Sequence, residues 1–415
     1  MLGMLVSRAC FASALVALLA GSTANAASVG TLSIGVDLPV SGADAAIGVP
    51  TQNGAVLAIE QANQHGFAGG AWKLAPSLLD DAVQGKHDPA AGAQNVKTFI
   101  ADSSVLGIIG PFNSNVAKAE IPLTNDAGIA QISPSTTADV LTVGDAAKAL
   151  RSSHPGTNTY FRVCANDRAD GDVLARFAKK LGFTKAFIVD DNETYGRGLA
   201  DSFESHFTRA GGIVLGHDHI TAGQQDFKPL LTKIKASSPS VVFFGGTTST
   251  GGGLIRRQMG DVGMSDVGFM GGGGISDPGF LTVAGTMANG TYFSVPAPDV
   301  RKLASAKAFV KNYNLRFKQD VGNYSANAYT AAKVLIAAIE RAAADDGGKI
   351  PTRAEVVTNV AATTRFASPI GRIGFDRNGD VLDPILILRK VSDGKVVTVE
   401  VLALKEAITR VLTRS

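Results

Sequence analysis

The sequence predicts an α/β protein with two similar lobes, each built around a doubly wound parallel sheet. The first observation is a regular alternation of short apolar runs, which suit buried strands, with longer segments whose apolar residues recur at helical spacing. The second is a polar segment at 147–158, with Pro155 and Gly156, after which the alternation begins again. Alternating strands and helices are typical of parallel sheets covered by helices, so the repeated pattern predicts two lobes of one architecture.

The N-terminal segment predicts export. Arg8 is the only charged residue before Ala24, residues 11–20 form an apolar run, and Ala24-Asn25-Ala26 is a small-x-small cleavage motif. These features are typical of a secretory signal peptide cleaved after Ala26, and the apolar run is too short for a stable membrane anchor. We therefore expect the mature chain to be periplasmic and long enough for two domains.

Charge and cysteine content argue against several classes of protein. The net charge is +3 over 415 residues and the basic residues are scattered, so we expect no nucleic-acid binding. Beyond the N-terminal segment, no stretch is long and apolar enough to span a bilayer. Loss of Cys10 with the signal peptide leaves Cys164 alone, which excludes an intramolecular disulfide and favours a buried, inert thiol.

The first half of the chain predicts four strands and three helices. Residues 31–39 are apolar at their centre and predict the first strand. Apolar residues at helical spacing predict the helix after it, which ends at a capping Gly66: Ala55, Val56, Ala58, Ile59 and Ala62. The other predicted elements are strands at 72–79, 105–109 and 129–132 and helices at 89–102 and 116–126.

The second half repeats this alternation and then changes character. The predicted helices lie at 168–181, 198–210 and 227–236 and from 253, and the predicted strands at 186–189, 213–217, 241–244 and 268–270. The C-terminal part predicts strands at 291–295, 370–375 and 385–391 and long helices at 301–317 and 325–344. This last part does not indicate a third domain.

Two loops, 110–115 and 133–137, follow consecutive predicted strands in the first half. Because the carboxyl ends of parallel strands meet at one edge of a sheet, the loops are expected to form a ligand-binding crevice. Both carry hydroxyl side chains at a helix start, where hydroxyls and free backbone N–H groups favour a carboxylate. The alternative for Ser114 and Thr137 is simple helix capping, and the two roles are compatible.

Several short motifs recur in a specific order along the chain. They are Leu38-Pro39-x-Ser41-Gly42, Asp80-Asp81 with Asp88-Pro89, Ile108-Ile109-Gly110-Pro111, Ile132-Ser133-Pro134, Asp190-Asp191-x-x-x-Tyr195-Gly196-x-Gly198, Ile220-Thr221-Ala222-Gly223-x-x-Asp226-Phe227 and Gly371-x-Ile373-Gly374-Phe375-Asp376. In this order and spacing the sequence resembles the periplasmic branched-chain amino-acid (Leu/Ile/Val) binding proteins, which are the substrate-binding subunits of ABC transporters.

The resemblance implies a type I periplasmic binding protein fold whose lobes are joined by a three-crossing hinge, near Phe161, Phe293 and Gly374. It implies a first lobe of 27–161 plus 295–373 and a second lobe of 162–294 plus 374–415. The expected function is non-enzymatic: a small amino acid or related carboxylate binds between the lobes, which close on it and deliver it to an inner-membrane ABC permease. We expect a monomer without cofactor.

The resemblance also implies ligand-binding residues. Asn113 and Ser114 match the first-loop residues, the Thr136 carbonyl matches an acceptor for the ligand ammonium, Thr137 matches the carboxylate-binding residue, and Tyr195 matches an aromatic contact from the second lobe. The expected set is completed by Ser135, Thr247, Gly273 and Gly274.

The sequence departs from the family pattern at three places. The glycine run 271–274 stands where the family often has an acidic partner for the ammonium, with Gly273 at the acidic position; Ile47 and Thr247 replace aromatic residues. The run leaves room for a bulkier ligand or for a close backbone approach. Asp277 is expected to cap the next helix, or else to replace the missing acid.

Other functions are weaker alternatives. A sensory protein of the same fold could bind an aromatic or aliphatic acid or an amide. A secreted serine hydrolase would use Ser114 and a histidine, but the chain has no G-x-S-x-G motif. No G-x-G-x-x-G follows the first strand, which argues against nucleotide binding.

Metal binding is also not expected. His217 and His219 could share a strand face as ligands, but no carboxylate of fitting spacing accompanies them, which favours solvated histidines. Asp376-x-Asn378-x-Asp380 resembles the start of a calcium loop but lacks its later ligands, so a hairpin turn at 377–379 is the better interpretation.

Overall fold

The computed structural model describes residues 30–221, 223–345 and 347–404. The predicted signal peptide therefore lies outside the described residues. Within those three ranges, none of the helices combines the length and apolar character needed to cross a bilayer.

The first half folds around a five-stranded, fully parallel sheet. Its elements in chain order are β1 (Gly30–Asp37), α1 (Ala45–Gln64), β2 (Trp72–Leu79), the short hairpin β3 (Ala82–Val83) and β4 (Lys86–His87), α2 (Pro89–Ala101), β5 (Val105–Ile109), α3 (Ser114–Asp126), β6 (Ala130–Ser133), α4 (Gly144–Ala149) and β7 (Tyr160–Arg162). The strand order is β2-β1-β5-β6-β7, so the connections reverse direction between β1 and β5. Such a switch point opens a crevice at the carboxyl edge of the sheet.

The second half folds around a seven-stranded sheet. Its first elements are α5 (Asp167–Lys180), β8 (Lys185–Asp190), α6 (Thr194–Arg209), β9 (Ile213–His219), α7 (Lys228–Ala236), β10 (Val241–Gly245), α8 (Gly252–Asp261), β11 (Gly268–Gly271), α9 (Pro278–Ala284) and β12 (Thr291–Val295). Strands β9, β8, β10, β11 and β12 are parallel neighbours in that order.

The C-terminal part divides between the two sheets. Its elements are α10 (Lys307–Phe317), α11 (Ser325–Asp345), α12 (Arg353–Ala361), the hairpin β13 (Phe366–Ser368) and β14 (Gly371–Ile373), β15 (Ile385–Ser392) and β16 (Lys395–Ala403). Helix α11 packs on α1 and the first sheet, whereas β15 and β16 extend the second sheet in antiparallel fashion. The chain therefore passes three times between the sheets, after β7, after β12 and before β15.

Each sheet with its helices is a lobe, which confirms the predicted fold class. One face of the first sheet shares a core with α1, α10, α11 and α12, while α2 and α3 pack together over the other face. The second sheet is covered by α5 and α6 on one face and by α7, α8 and α9 on the other. The residue boundaries given above for the two lobes stay a prediction.

Several local predictions differ from the structure. The polar segment 147–158 contains the end of α4, and the predicted helix 301–317 is two short 3₁₀ turns followed by α10. Helices α4 and α12 and strand β16 were not predicted. Helix α6 begins at Thr194 rather than at residue 198, which places Tyr195 in its first turn instead of in a turn before it.

The early start of α6 has a packing reason. Gly196 lies so close to β10 that a Cβ atom there would overlap the Gly245 carbonyl oxygen and the Asp191 carboxylate. A glycine inside a helix usually weakens it, so the sequence pattern argued against helix here. The close approach to the sheet is what requires the glycine.

Candidate functional site

A pocket lies between the carboxyl edges of the two sheets, with about 340 Å³ of space that is partly open to solvent. Both lobes contribute to its lining: Phe112, Asn113, Ser114, Ser135, Thr137, Tyr195, Thr247, Gly273, Gly274, Pro296 and Tyr324. Eight of the nine residues expected at the site therefore lie together.

Thr136 is the predicted residue that does not line the pocket. Its hydroxyl contacts the buried Tyr160 hydroxyl, and its carbonyl accepts hydrogen bonds from Arg162 Nη1 at 3.2 Å and Cys164 Sγ at 3.4 Å. That carbonyl already has two donors, so its predicted role toward a ligand ammonium stays a prediction.

Arg162 supports the second loop from inside the first lobe. Its side chain is fully buried, pairs with Asp380 Oδ1 at 2.7 Å and also donates to the Ala138 carbonyl at 3.0 Å. Asp376 accepts from the backbone N–H groups of Asn378 and Asp380, which confirms the hairpin-turn interpretation of this segment. The turn positions Asp380 to pair with Arg162. Arg162 in turn holds the second loop in place through its hydrogen bonds to the Thr136 and Ala138 carbonyls.

Cys164 follows Arg162 and is buried, as expected from the sequence. Burial raises the pKa of its thiol to about 12, so the thiolate needed for nucleophilic chemistry is absent near neutral pH. The structure thereby confirms the inert-thiol interpretation.

The first-lobe wall presents unsatisfied polar atoms. Helix α3 begins at Ser114 with Asn113 as its N-cap, but the Asn113 side chain makes no capping bond. Among the described residues, Asn113 Oδ1 and Thr137 Oγ1 are buried without a hydrogen-bond partner. Buried polar groups normally have partners, so these atoms favour a polar ligand group at this wall.

Ser133 shapes the second loop beside them. Its hydroxyl accepts from the N–H groups of Ser135 and Thr136 at 3.2 and 3.0 Å and donates to the Pro111 carbonyl at 2.8 Å. The Ser135 hydroxyl donates to the Phe112 carbonyl at 2.9 Å. The two loops are thus bonded to each other, which holds their polar groups in one geometry.

The second-lobe wall is formed by Tyr195 and the glycine run. The Gly274 N–H donates to Tyr195 Oη at 3.1 Å. A Cβ at Gly273 would overlap the Tyr324 hydroxyl, and one at Gly274 would overlap the Gly246 carbonyl. Of the two explanations offered by the sequence, the structure supports a close backbone approach, because the space beside the glycines is already filled.

Aromatic residues complete the pocket, and the sequence did not indicate them. The rings of Phe112 and Tyr324 meet edge to face, with centroids 5.1 Å apart. Pro296 follows β12 at a passage between the lobes, and Tyr324 comes from the turn between α10 and α11 of the first lobe. Their distance in sequence from the two loops explains why local patterns missed them; Phe112 sits inside the first loop and could have been found there.

Asp277 caps helix α9, as expected. Its Oδ1 accepts from the Gly279 N–H at 2.8 Å, and its Oδ2 contacts the Thr248 hydroxyl. Asp277 does not line the pocket. With its oxygens engaged in this way, it does not replace the missing acidic residue.

Two buried acids lie behind the pocket wall, Asp167 and Asp170 in the first turn of α5. The Asp167 N–H donates to the Thr137 carbonyl at 2.8 Å. A Cβ added at Gly272 would lie 3.6 Å from Asp170 Oδ2 and would also contact the Tyr195 hydroxyl. Burial raises the pKa of Asp167, and burial raises the pKa of Asp170 to about 7. The sequence did not single out these acids, because acidic residues are common in the first turn of a helix.

A buried ion pair joins the lobes beside the pocket. His87 Nδ1 is 2.7 Å from Asp44 Oδ2 within the first lobe, and His87 Nε2 is 2.8 Å from Glu193 Oε2, which precedes α6 in the second. Asn115 Nδ2 donates to the same Glu193 oxygen at 3.2 Å. Burial lowers the pKa of His87, but hydrogen bonds to Asp44 and Glu193 outweigh it and raise the pKa to about 10. The imidazolium therefore links the lobes at neutral pH.

The pocket offers no support for hydrolysis. Within the described ranges no histidine lines it, and Ser114 Oγ accepts from the Ala138 N–H at 3.3 Å. A serine nucleophile needs a general base within hydrogen-bond reach. The arrangement is suited to binding.

Comparisons with known proteins agree with this geometry. The model of a family described as periplasmic binding protein matches residues 31–395. The chain is 30% identical over 370 residues to Leu/Ile/Val-binding protein homolog 3 of Brucella melitensis biotype 1, covering 89% of this chain and 94% of the relative.

Solved structures give the same result. The leucine binding protein LivK from Thermotoga maritima superposes with a TM-score of 0.78 at 26% identity, covering 90% of this chain and 99% of that one. The branched-chain amino acid transporter substrate binding protein LivJ from Streptococcus pneumoniae, in complex with isoleucine, gives 0.77 at 26% identity, with 90% and 100% coverage.

Proposed function

The chain belongs to the periplasmic binding protein family, and we propose that it binds an aliphatic amino acid or a related carboxylate between its lobes. It is a non-enzymatic substrate-binding protein of an ABC importer, of the group that includes the Leu/Ile/Val-binding proteins. The observation that carries the proposed ligand class is the pocket, which sets unsatisfied polar atoms of one lobe opposite aromatic residues and a glycine backbone.

The polar wall suits the carboxylate of the ligand. The Ser114 and Thr137 hydroxyls and the first-turn N–H groups of α3 are donors, and the helix start adds a positive field. Asn113 also lines the pocket, and its buried Oδ1, a hydrogen-bond acceptor, has no partner among the described residues. These donors can give the carboxylate several hydrogen bonds after water has been excluded from the pocket.

Aromatic residues and a proline give the pocket an apolar surface that suits an apolar ligand side chain. Phe112 and Tyr324 come from the first lobe, Tyr195 comes from the second, and Pro296 follows β12. Aromatic surfaces gain free energy when they cover apolar ligand atoms. The name of the Leu/Ile/Val-binding relative agrees with this apolar character.

The ammonium group of an amino-acid ligand has no acidic partner among the pocket-lining residues that the structure describes. No carboxylate lines the pocket among the described residues, and the nearest acids, Asp167 and Asp170, lie behind Thr137 and Tyr195. We infer that the carboxylate supplies most of the polar affinity. A deamino analogue of an aliphatic amino acid is therefore expected to bind comparably to its parent.

Calorimetry with three related compounds tests this. We expect leucine and 4-methylpentanoate to bind with dissociation constants within about tenfold, and leucinamide, which lacks the carboxylate, to bind more weakly by a factor of 10 or more. Equal binding of leucinamide would contradict the carboxylate assignment. Strict dependence on the ammonium would instead show that a second-lobe acid turns into the pocket.

The proposal extends to the processing, oligomeric state and membrane partner of the chain. We infer cleavage of the signal peptide after Ala26, action as a monomer and delivery to an inner-membrane permease; nucleic acid has no role. The cleavage motif and the family support these inferences. Intact-mass measurement of protein from the periplasmic fraction, combined with light scattering, tests the cleavage site and the oligomeric state.

A further inference from the structure

Three metal-ligating side chains meet at the carboxyl end of β8 and β9. His217 and His219 are two residues apart in β9, so both point to the same face of the sheet. Asp190, the last residue of β8, is paired in register with His219. Asp190 Oδ2 lies 2.7 Å from His217 Nε2 and 2.7 Å from His219 Nδ1. One carboxylate oxygen and two imidazole nitrogens thus converge within 4.8 Å of one another.

We propose that Asp190, His217 and His219 form a binding site for a divalent transition-metal ion such as zinc or nickel. Two imidazoles and one carboxylate are a donor set that zinc, nickel, cobalt and copper accept, whereas calcium and magnesium prefer oxygen ligands alone. Three protein ligands leave a further coordination position for water. The proposal concerns a site outside the ligand pocket and does not rest on the proposed function.

The surroundings of His217 are those of a metal-ligating histidine. Its other ring nitrogen, Nδ1, lies 2.7 Å from Glu204 Oε2 on α6. A carboxylate on the second nitrogen fixes the tautomer and the ring orientation of histidines that bind metals. Asp190 is held as well, because its Oδ1 accepts from the Asn192 N–H at 2.7 Å. The ligand atoms are therefore oriented before any ion arrives.

Exposure and distance are compatible with entry of an ion. Asp190 is buried, His217 has 16% of its side chain exposed, and His219 has 50% exposed, so the cluster opens to solvent on one side. Ligand atoms around a tetrahedral zinc lie about 3.3 Å apart. Both imidazole nitrogens now lie 2.7 Å from Asp190 Oδ2, so small adjustments of the Asp190 side chain and of the His219 ring are needed to reach this separation.

The fold brings carboxylates to the two histidines, although none stands beside them in sequence at the spacing of metal ligands. The sequence shows no carboxylate near His217 and His219 at a metal-ligand spacing, but Asp190 is a neighbour in the sheet and Glu204 comes from the helix between the two strands. Asp201, also on α6, can form a second group of donors with Glu204 and His217. The competing explanation is a set of hydrogen-bonded ion pairs without metal.

Calorimetry on the mature chain without a histidine tag distinguishes the two. Zinc chloride or nickel chloride is titrated into the stripped wild type at pH 7.5, and we expect one equivalent to bind. His219→Gln and His217→Gln should each weaken binding by a factor of 10 or more, whereas the control His154→Gln, an exposed histidine of the first lobe, should not. Wild-type affinity should also fall at pH 5.5, because protons compete for the imidazoles.

Two results overturn the site. One is the absence of stoichiometric binding of either ion to the wild type. The other is binding that persists undiminished in the double variant His217→Gln/His219→Gln. Melting temperatures measured without metal show whether a variant is folded, and His219→Gln, which alters a half-exposed side chain, keeps the test valid if His217→Gln unfolds the chain.

Discussion

Thr137 shows how a single residue serves both the fold and the ligand. Its carbonyl accepts from the Asp167 N–H at 2.8 Å, which ties the second loop to helix α5. Its hydroxyl is buried at the pocket and has no partner among the described residues. The backbone is thus fixed by the fold, while the side chain is left for a ligand.

Removal of this hydroxyl is therefore expected to reduce affinity rather than stability. Thr137→Ala should weaken a bound carboxylate by about 1–3 kcal/mol, the usual effect of losing a hydrogen bond to a charged group. Calorimetry with leucine measures the change. The matched control is Thr358→Ala, whose hydroxyl is exposed on α12. Unchanged affinity in Thr137→Ala would contradict the carboxylate assignment.

Asp170 makes stability depend on pH. Burial raises its pKa from 3.8 to about 7 in the folded chain, so between these values the folded state binds more protons than the unfolded state. The contribution of Asp170 to the free energy of unfolding therefore falls as pH rises from about 4 to about 7. Above that range a buried carboxylate is ionised without a hydrogen-bond partner among the described residues.

Asp170→Asn removes this buried charge. We expect the variant to be more stable than the wild type by about 1–3 kcal/mol at pH 8 and similar to it at pH 4. Urea unfolding of the ligand-free protein at both pH values measures the difference. Asp172→Asn is the control, because Asp172 on the same helix pairs with Arg176 at 2.8 Å near the surface. A variant that is less stable at pH 8 would show that the carboxylate has a stabilising partner.

At the scale of elements, the local hydrophobic pattern predicted those strands and helices whose pattern is uniform along their length. The strands 72–79, 105–109 and 291–295 have the predicted bounds. Pattern failed at short or interrupted elements, such as α4 and α12, and at α6, whose first turn contains Gly196. Those elements depend on packing between distant segments, which periodicity within one segment does not report.

The same distinction applies to the pocket. The two loops of the first lobe were found from their hydroxyl residues and their position after buried strands. Tyr324 and Pro296 were not, because they are far from those loops in sequence and only the tertiary fold brings them to the site. Asp190 and His217 show the effect again, since parallel pairing of β8 with β9 joins residues that are far apart in sequence.

Gly196 provides a test of packing at this scale. Gly196→Ala inserts a methyl group between α6 and β10, where it would overlap the Gly245 carbonyl, and should lower the free energy of unfolding by about 1–3 kcal/mol. Gly156→Ala is the control, because no atom lies within 4 Å of a Cβ at that position. Chemical unfolding measures both. Equal stabilities would show that α6 moves away from the sheet without cost.

At the scale of the whole molecule, polar contacts join the two lobes at several points. The His87–Glu193 pair is one of them, and another is the hydrogen bond that Asn323 Nδ2 donates to the Ser276 carbonyl at 3.2 Å. Ligand binding favours the closed arrangement only through contacts that the open arrangement lacks. Because His87 and Glu193 belong to different lobes, we expect their contact to break when the lobes separate.

Glu193→Gln should therefore open the molecule without unfolding either lobe. We expect ligand affinity to fall by about a factor of 10, because a hydrogen bond between charged groups contributes roughly 1.5–3 kcal/mol. X-ray scattering should show that the wild type becomes more compact with leucine and that the variant needs a higher leucine concentration for the same change. Glu60→Gln is the control, because Glu60 pairs with Arg316 within the first lobe.

The pH dependence of closure follows from the same pair. The folded-state pKa of His87, about 10, lies above its unfolded value of 6.5, so the stabilisation is fully present below pH 6.5 and is lost as pH rises through about 10. Wild-type affinity for leucine should thus weaken between pH 8 and pH 10, and Glu193→Gln should show a smaller change over this range. Parallel pH profiles for the two proteins would show that His87 acts within the first lobe, through Asp44, and not across the pocket.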